Sequence, residues 1–284
     1  MCARKSSTVD ALGISESRRE GRPPPEPRSL PEACQNASVV GVNKTDAPTA
    51  IGPEAYAPWR TTSLGVITEE IEKRLILDLM GDVAGRRVLD VGCGDGALIY
   101  ATASRGAAAT GIDPDPAMLA AARSRLAEAA YGATFVEGRV EQLPFREASF
   151  DLVAAITVLC FVPDALAAVR EMARVLRPGG RLVLGELGRW SGWAAIRRVR
   201  GWLGSSTWAA ARFRTAAEIK TLARQAGLSV TAVRGGVYYP PVGVAARALL
   251  PLDSGLGGLT TFSAAFIAVR AEWKDSHSTK GRSQ

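Results

Sequence analysis

Val88-Leu89-Asp90-Val91-Gly92-Cys93-Gly94-Asp95-Gly96 decides how the rest of this chain is read. The apolar run from Arg87 to Val91 predicts a buried strand that carries a carboxylate near its end. The glycines after it allow a tight turn and a close approach of the backbone to a ligand. Ala97 to Ser104 predicts a helix, so the turn opens onto a helix N-terminus whose first N–H groups lack partners. Gly111-Ile112-Asp113 ends a second apolar run with its own acid, about twenty residues on, where a ribose-binding carboxylate is expected. Together these features predict a site for a nucleotide-type cofactor.

Two cofactors compete for that geometry. Gly92-x-Gly94-x-x-Ala97 satisfies the dinucleotide pattern G-x-G-x-x-G/A, so NAD is one of them. Asp90 favours the other. A carboxylate at that place repels a pyrophosphate but attracts an α-ammonium group, and S-adenosylmethionine carries an ammonium, a ribose and an adenine.

These residues and others downstream resemble the class I S-adenosylmethionine-dependent methyltransferases, in the branch of the ubiquinone/menaquinone C-methyltransferases and many small-molecule enzymes. The blocks stand in the family's order: VLDVGCGDG at 88–96, GIDPDPAML at 111–119, EQLPF at 141–145, SFDLV at 149–153 and RVLRPGGRLVLGELG at 174–188. Upstream, Tyr56-x-x-Trp59, Thr61-Thr62 and Leu64-Gly65 look like a lid segment. The resemblance covers about 56–272. It implies a Rossmann-like α/β fold: a mostly parallel seven-stranded sheet with helices on both faces and an antiparallel last strand inserted between strands five and six.

Residue patterning agrees with such a fold. Strand and helix signals alternate, as a parallel sheet covered on both faces requires. Strands are predicted near 87–91, 108–112, 133–137, 150–156, 181–187, 229–234 and 262–270, and helices near 66–80, 95–104, 116–129, 164–176 and 215–226. Pro178-Gly179-Gly180 predicts a tight turn into the fifth strand. Residues 1–54 are rich in Pro, Ser, Gly and charge, lack periodic apolar positions and are expected to be a disordered tail. The methyltransferase domain is expected over 55–272 with a substrate cap at 188–214, and a flexible tail over 273–284.

The 284 residues, 47% hydrophobic, suffice for one sizeable core. No apolar run is long enough to span a bilayer, no secretory leader is evident, and the four cysteines (Cys2, Cys34, Cys93, Cys160) show no metal or disulfide spacing, so a cytoplasmic enzyme without metal is expected. His277 is the only histidine and lies in a polar tail, which argues against imidazole base catalysis. The net charge of +7 resides in one region: residues 187–234 hold nine basic side chains against Glu218 alone, whereas residues 1–54 hold seven of each sign. Four tryptophans, Trp190, Trp193, Trp202 and Trp208, lie in that basic region.

Asp90 is expected to bind the ammonium, with the alternative of capping the next helix. The backbone of Gly92, Cys93 and Gly94 should run along the methionine moiety, and Asp95 is a helix-cap candidate. Asp113 is expected on both ribose hydroxyls, with helix capping as the compatible alternative. Pro114 and Met118 would line one adenine face, although Met118 suits the core equally. EQLPF resembles the segment that closes the adenine pocket, but Arg139 stands where the family has a small acid. Guanidinium has no acceptor, so the backbone of Val140 or the carboxylate of Glu141 would have to receive the adenine amino group. Ile156 and Thr157 should add backbone contacts at the amino-acid end.

That region reads AITVLC rather than [DN]-P-P-[FYW], which lowers the likelihood of a nucleic-acid amino-methyltransferase without removing it. A non-catalytic binding module is the other alternative. No catalytic base stands out: Glu186, Tyr56, Tyr238, Tyr239 and Asp253 are candidates, each with a capping or packing role as the bland reading. Tyr56, Trp59, Trp190, Trp193 and Tyr238 are expected around a small, largely apolar or aromatic acceptor. Between 189 and 203, Trp193, Ile196, Val199 and Trp202-Leu203 share a helical stripe with the arginines largely off it. The stripe suits packing or a substrate cap, and Trp beside Arg also suits contact with a membrane surface.

Overall fold

The computed structural model describes residues 61–273; the two tails, Tyr56 and Trp59 lie outside the described residues. The chain order is α1 (Ser63–Met80), β1 (Arg87–Val91), α2 (Ala97–Ala103), β2 (Ala108–Asp113), α3 (Pro116–Glu128), β3 (Thr134–Glu137), β4 (Phe150–Ile156), α4 (Ala165–Val175), β5 (Leu176–Leu187), α5 (Gly192–Trp202), α6 (Ser206–Ala210), α7 (Ala216–Gln225), β6 (Leu228–Gly236), α8 (Gly243–Leu259) and β7 (Phe266–Trp273).

One sheet of seven strands has the order β3-β2-β1-β4-β5-β7-β6. β1 pairs in parallel with β2 and β4, β2 with β3, and β4 with β5, whereas β7 runs antiparallel to both β5 and β6. The expected Rossmann-like α/β fold is therefore present, inserted last strand included. Alternation along each strand divides the core. Leu89, Val91, Val153, Ala155, Leu182 and Leu184 pack on the α4 and α7 side with Met172 and Ile219. Val88, Leu152, Ala154 and Val183 pack on the other side with Ile76 and Met80 of α1. Strand order reverses between β2-β1 and β4, and ligands of such sheets bind outside the strand ends at that reversal.

Local signals account for most helix starts. Asp115 caps α3 by accepting from the Ala117 amide, with Pro116 at the first position. Asp164 caps α4, and Thr215 with Glu218 forms a capping box at α7. Several expectations change. Asp95 does not cap α2: Gly96 does, in a left-handed conformation, while Asp95 pairs with Arg125 of α3 at 2.5 Å. The seventh strand starts at Phe266, not 262, because residues 260–265 form the return from α8.

β5 begins at Leu176, and the expected Pro178-Gly179-Gly180 turn lies within it as a bulge. Phe150 faces Leu176, Leu152 already faces Arg181, and Gly179 turns with φ +71°. α8 carries no helix signal in the sequence, since Pro251, Gly255, Gly257 and Gly258 argue against one. It forms because the Asp253 carboxylate accepts from the Val237 and Tyr238 amides, both at 3.0 Å, and Gly257 lets the helix backbone lie against Gly235.

Candidate functional site

The turn after β1 is pinned to the end of β2. The Gly92 and Cys93 amides both donate to the Ile112 carbonyl, at 2.7 and 3.1 Å. Asp113 continues the link: its Oδ2 accepts from the Gly94 amide at 2.9 Å and its Oδ1 from the Asp115 amide at 2.9 Å. Asp113 is thus the acid that joins the two strand ends, and the helix cap belongs to Asp115. Burial raises its carboxyl above the usual range, and the two amides oppose that rise.

Asp90 has no such support. It is 3% exposed, and among the described residues no donor or cation is bonded to its carboxylate. Burial, then the charges of Asp113 and Asp95, push its carboxyl up to about 8. Two acids buried side by side at the switch point of the sheet form a site that a cation would stabilise. The turn also leaves room for a ligand. A Cβ built on Gly94 (φ +51°) would meet nothing within 4 Å among the described residues, whereas one on Gly92 (φ +69°) would lie 2.5 Å from Val158 Cγ2. The turn is therefore open on one side and braced on the other.

The Cys93 thiol faces Gly111 in the core, and burial raises its pKa. Pro114 is exposed and Met118 half-buried at the start of α3, while Leu119 takes the core position. Val140 is buried, and Glu141 is held by Arg139 at 3.2 Å. The departure at position 139 thus has a local partner in Glu141. At the end of β4, Thr157 takes a left-handed conformation (φ +54°), its amide donating to the Gly185 carbonyl at 2.7 Å.

Tyr56 lies outside the described residues, and the other base candidates each hold partners within the fold. Glu186 is fully buried, and its Oε1 accepts from the Leu159 amide at 2.9 Å. Burial pushes its carboxyl up to about 7 against the pull of Arg214. Tyr239 is 1% exposed, its hydroxyl shares a hydrogen with Thr68 of α1 at 2.8 Å, and its carbonyl accepts from the Trp193 indole at 2.9 Å. Burial raises both Tyr238 and Tyr239 to about 12. The Tyr238 hydroxyl donates to the Thr260 carbonyl, and Asp253 holds two amides.

The structure separates Trp193, which is buried, from Trp190, which is exposed. Sequence reasoning missed Val158, Leu159 and Arg214, which have no local signal because their partners lie 27 to 66 residues away in the chain. Among the described residues no three His, Cys, Asp or Glu side chains gather as a metal site, and no helix is long and apolar enough to cross a membrane.

Comparison with known proteins agrees with this geometry. A methyltransferase domain model matches residues 89–184. A ubiquinone biosynthesis O-methyltransferase of Idiomarina loihiensis is 36% identical over 165 residues, 55% of this chain and 67% of that protein. One of Pseudomonas aeruginosa is 33% identical over 174 residues, 58% of this chain and 73% of that protein. Among solved structures, an S-adenosylmethionine-dependent methyltransferase of Thermotoga maritima, described as a possible histamine N-methyltransferase, has a TM-score of 0.61 at 23% identity, covering 78% of this chain and 95% of its own. The magnesium protoporphyrin IX methyltransferase of Synechocystis PCC 6803, solved with bound S-adenosylhomocysteine, has a TM-score of 0.59 at 19% identity, covering 82% and 100%. The switch-point turn with its two acids and the kinship with these O-methyltransferases lead to one conclusion: the chain belongs to the class I S-adenosylmethionine-dependent methyltransferases, and S-adenosylmethionine is its methyl donor.

Proposed function

We propose that this enzyme methylates a hydroxyl of a small, apolar aromatic acceptor, with the donor lying across the ends of β1 and β2. The observation that carries the placement of the donor is Asp90, a buried carboxylate that, among the described residues, has no protein donor and lies at the turn where Gly94 is open. The acceptor class rests on the relatives, which are named for ubiquinone biosynthesis.

The residues fit the donor. Asp90 would take the ammonium, the Gly92-Cys93-Gly94 backbone the methionine chain, and Asp113 the ribose hydroxyls. Pro114 and Met118 would flank the adenine, with Val140 and the Arg139-held Glu141 at its edge, and Ile156 and Thr157 would close the amino-acid end. Bound there, S-adenosylmethionine supplies a methyl group already activated on a sulfonium.

The chain's own contribution is then to hold the acceptor in line and to exclude water. Among the described residues, no base candidate has a carboxylate or hydroxyl oxygen without a hydrogen bond except the second oxygen of Glu186, which is sealed in the core beside Arg214. Orientation under the cap accordingly carries more of the rate than proton abstraction. Calorimetry tests the donor site: S-adenosylhomocysteine binds, NADH does not, and Asp113→Ala weakens binding at least tenfold. Tritium transfer from the donor to catechol-type acceptors tests the acceptor class; label appearing only on amines would exclude it.

A specific observation also favours contact with a membrane surface through 189–203. α5 is turned against its composition. Arg197 stacks on the rings of Trp193 and Trp208, and Arg198 lies over Phe213 and donates to the Arg189 carbonyl. Trp190, Ile196, Val199, Trp202 and Leu203 are exposed, the last two by 82% and 81%. Inward-stacked arginines make a poor phosphate track, which disfavours a nucleic-acid acceptor, whereas outward tryptophans suit an interface. Co-sedimentation with phosphatidylglycerol vesicles that Trp202→Ser with Leu203→Ser abolishes would support this contact. Equal sedimentation of the variant would remove it.

A further inference from the structure

We infer that Glu186 and Arg214 are positioning residues that together grip the Leu159 peptide and, through Val158, set the cofactor turn at Gly92. The inference rests on the proposed placement of the donor along that turn.

The grip is two-sided. Glu186, at the end of β5, accepts from the Leu159 amide at 2.9 Å through Oε1. Arg214, at the far end of the cap segment, donates from Nη1 to the Leu159 carbonyl at 2.8 Å. Both polar groups of the Leu159 residue are thereby held by one acid and one base, whose own closest approach is 3.8 Å between Nη1 and Oε2. Glu186 is fully buried and Arg214 is 8% exposed, so water does not compete for these bonds. Among the described residues, Oε2 of Glu186 has no hydrogen-bond partner. The acid is thus committed to the loop, not to an ideal ion pair.

The loop it holds needs holding. It starts at Thr157 with a positive φ of 54°, unfavourable for a β-branched residue. Leu159 is itself 0% exposed, which makes a free amide there costly. Val158, between the two, presses its Cγ2 against Gly92, where an added Cβ would be only 2.5 Å away.

Arg214 also brings the cap into register. Its amide donates to the Leu187 carbonyl at 3.0 Å, the Arg212 amide donates to the Cys160 carbonyl at 2.8 Å, and Arg189 donates back to the Arg214 carbonyl at 2.9 Å. A continuous set of contacts therefore runs from the root of the cap, through the Glu186–Arg214 pair and Leu159, to the turn that opens toward the donor. Packed, buried networks of this kind transmit displacement because they have little room to relax.

The experiment uses the full-length protein without ligand and then with S-adenosylhomocysteine. Four variants are compared with wild type: Glu186→Gln, which keeps an acceptor for the Leu159 amide; Glu186→Leu, which does not; Arg214→Met; and Val158→Ala, which leaves the pair intact and cuts its contact with Gly92. Four quantities are read: hydrogen exchange over residues 157–163, calorimetric Kd for S-adenosylhomocysteine, melting temperature, and kcat with a catechol-type acceptor.

Positioning predicts faster exchange in Glu186→Leu and Arg214→Met, with Kd at least tenfold weaker. It predicts Glu186→Gln within threefold of wild type in Kd. It predicts that Val158→Ala weakens binding at least fivefold with little change in melting temperature. Should Glu186→Leu fail to fold, Val158→Ala and Glu186→Gln still decide. Kd within twofold of wild type in Val158→Ala would overturn the inference. So would a hundredfold loss of kcat in Glu186→Gln at unchanged Kd, which would make Glu186 a base. If wild type itself does not bind S-adenosylhomocysteine, the proposed donor site fails instead, while the exchange result still reports on the grip.

Discussion

Asp90 lies near the end of a strand in which Val88, Leu89 and Val91 are buried and apolar, and that position governs its chemistry. Its carboxyl is raised to about 8 in the fold, against about 3.9 in an unfolded chain. A raised acid favours the folded state at low pH and loses that contribution as pH climbs through its folded value. The ligand-free enzyme should therefore lose stability from about pH 4 to 8. Asp90→Asn should show a shallower slope, with the part due to Glu186 remaining, and melt higher than wild type at pH 9, as thermal scans across pH would show. Binding of an ammonium needs the ionised acid, so calorimetric affinity for S-adenosylhomocysteine should climb from pH 6 to 8 in wild type and stay low and flat in Asp90→Asn. Gly94 permits a second test at this scale. A Cβ there meets no atom of the described residues within 4 Å, so Gly94→Ala should fold, with a stability loss of about 1 kcal/mol from its positive φ, yet weaken the donor at least tenfold.

At the scale of elements, α5 and α8 show where pattern and packing part company. The stripe of α5 was compatible with a core, a cap or an interface, and the structure turns only Trp193 and Ala194 inward. The helix is anchored by the Trp193 indole on the Tyr239 carbonyl and by Tyr239 on Thr68, a chain that links α5 to α1. Trp193→Ala should accordingly destabilise the protein by about 3–5 kcal/mol, whereas Trp202→Ala should change stability by less than about 0.5 kcal/mol. Chemical denaturation of the two variants measures the difference. For α8 the decisive residue is Asp253. Asp253→Ala strands the Val237 and Tyr238 amides, the first in a buried residue with φ +62°, and should destabilise by about 2–4 kcal/mol. Nothing in the local sequence reveals that role, because the bonds span 15 and 16 residues.

At the scale of the whole molecule, β7 closes the sheet between β5 and β6, and Phe266 fills the space above Gly185, where a Cβ would lie 2.5 Å from its ring. Phe266→Ala should cost about 3–5 kcal/mol and lower the melting temperature by roughly 2–4 °C for each of them. The chain's own pattern determined the alternating strands and helices, the glycine turn, and the acids at 90 and 113, because these depend on periodicity and on residues adjacent in sequence. Tertiary structure alone decided that Asp90 has no hydrogen-bond partner among the described residues while Asp113 is bonded twice. It also decided that Glu186 bonds the Leu159 amide and that Arg197 and Arg198 of α5 stack on aromatic rings while Arg200 stays exposed. Each of these outcomes is set by what is brought within about 3 to 4 Å across the fold, where burial removes water and makes every unpaired polar group costly.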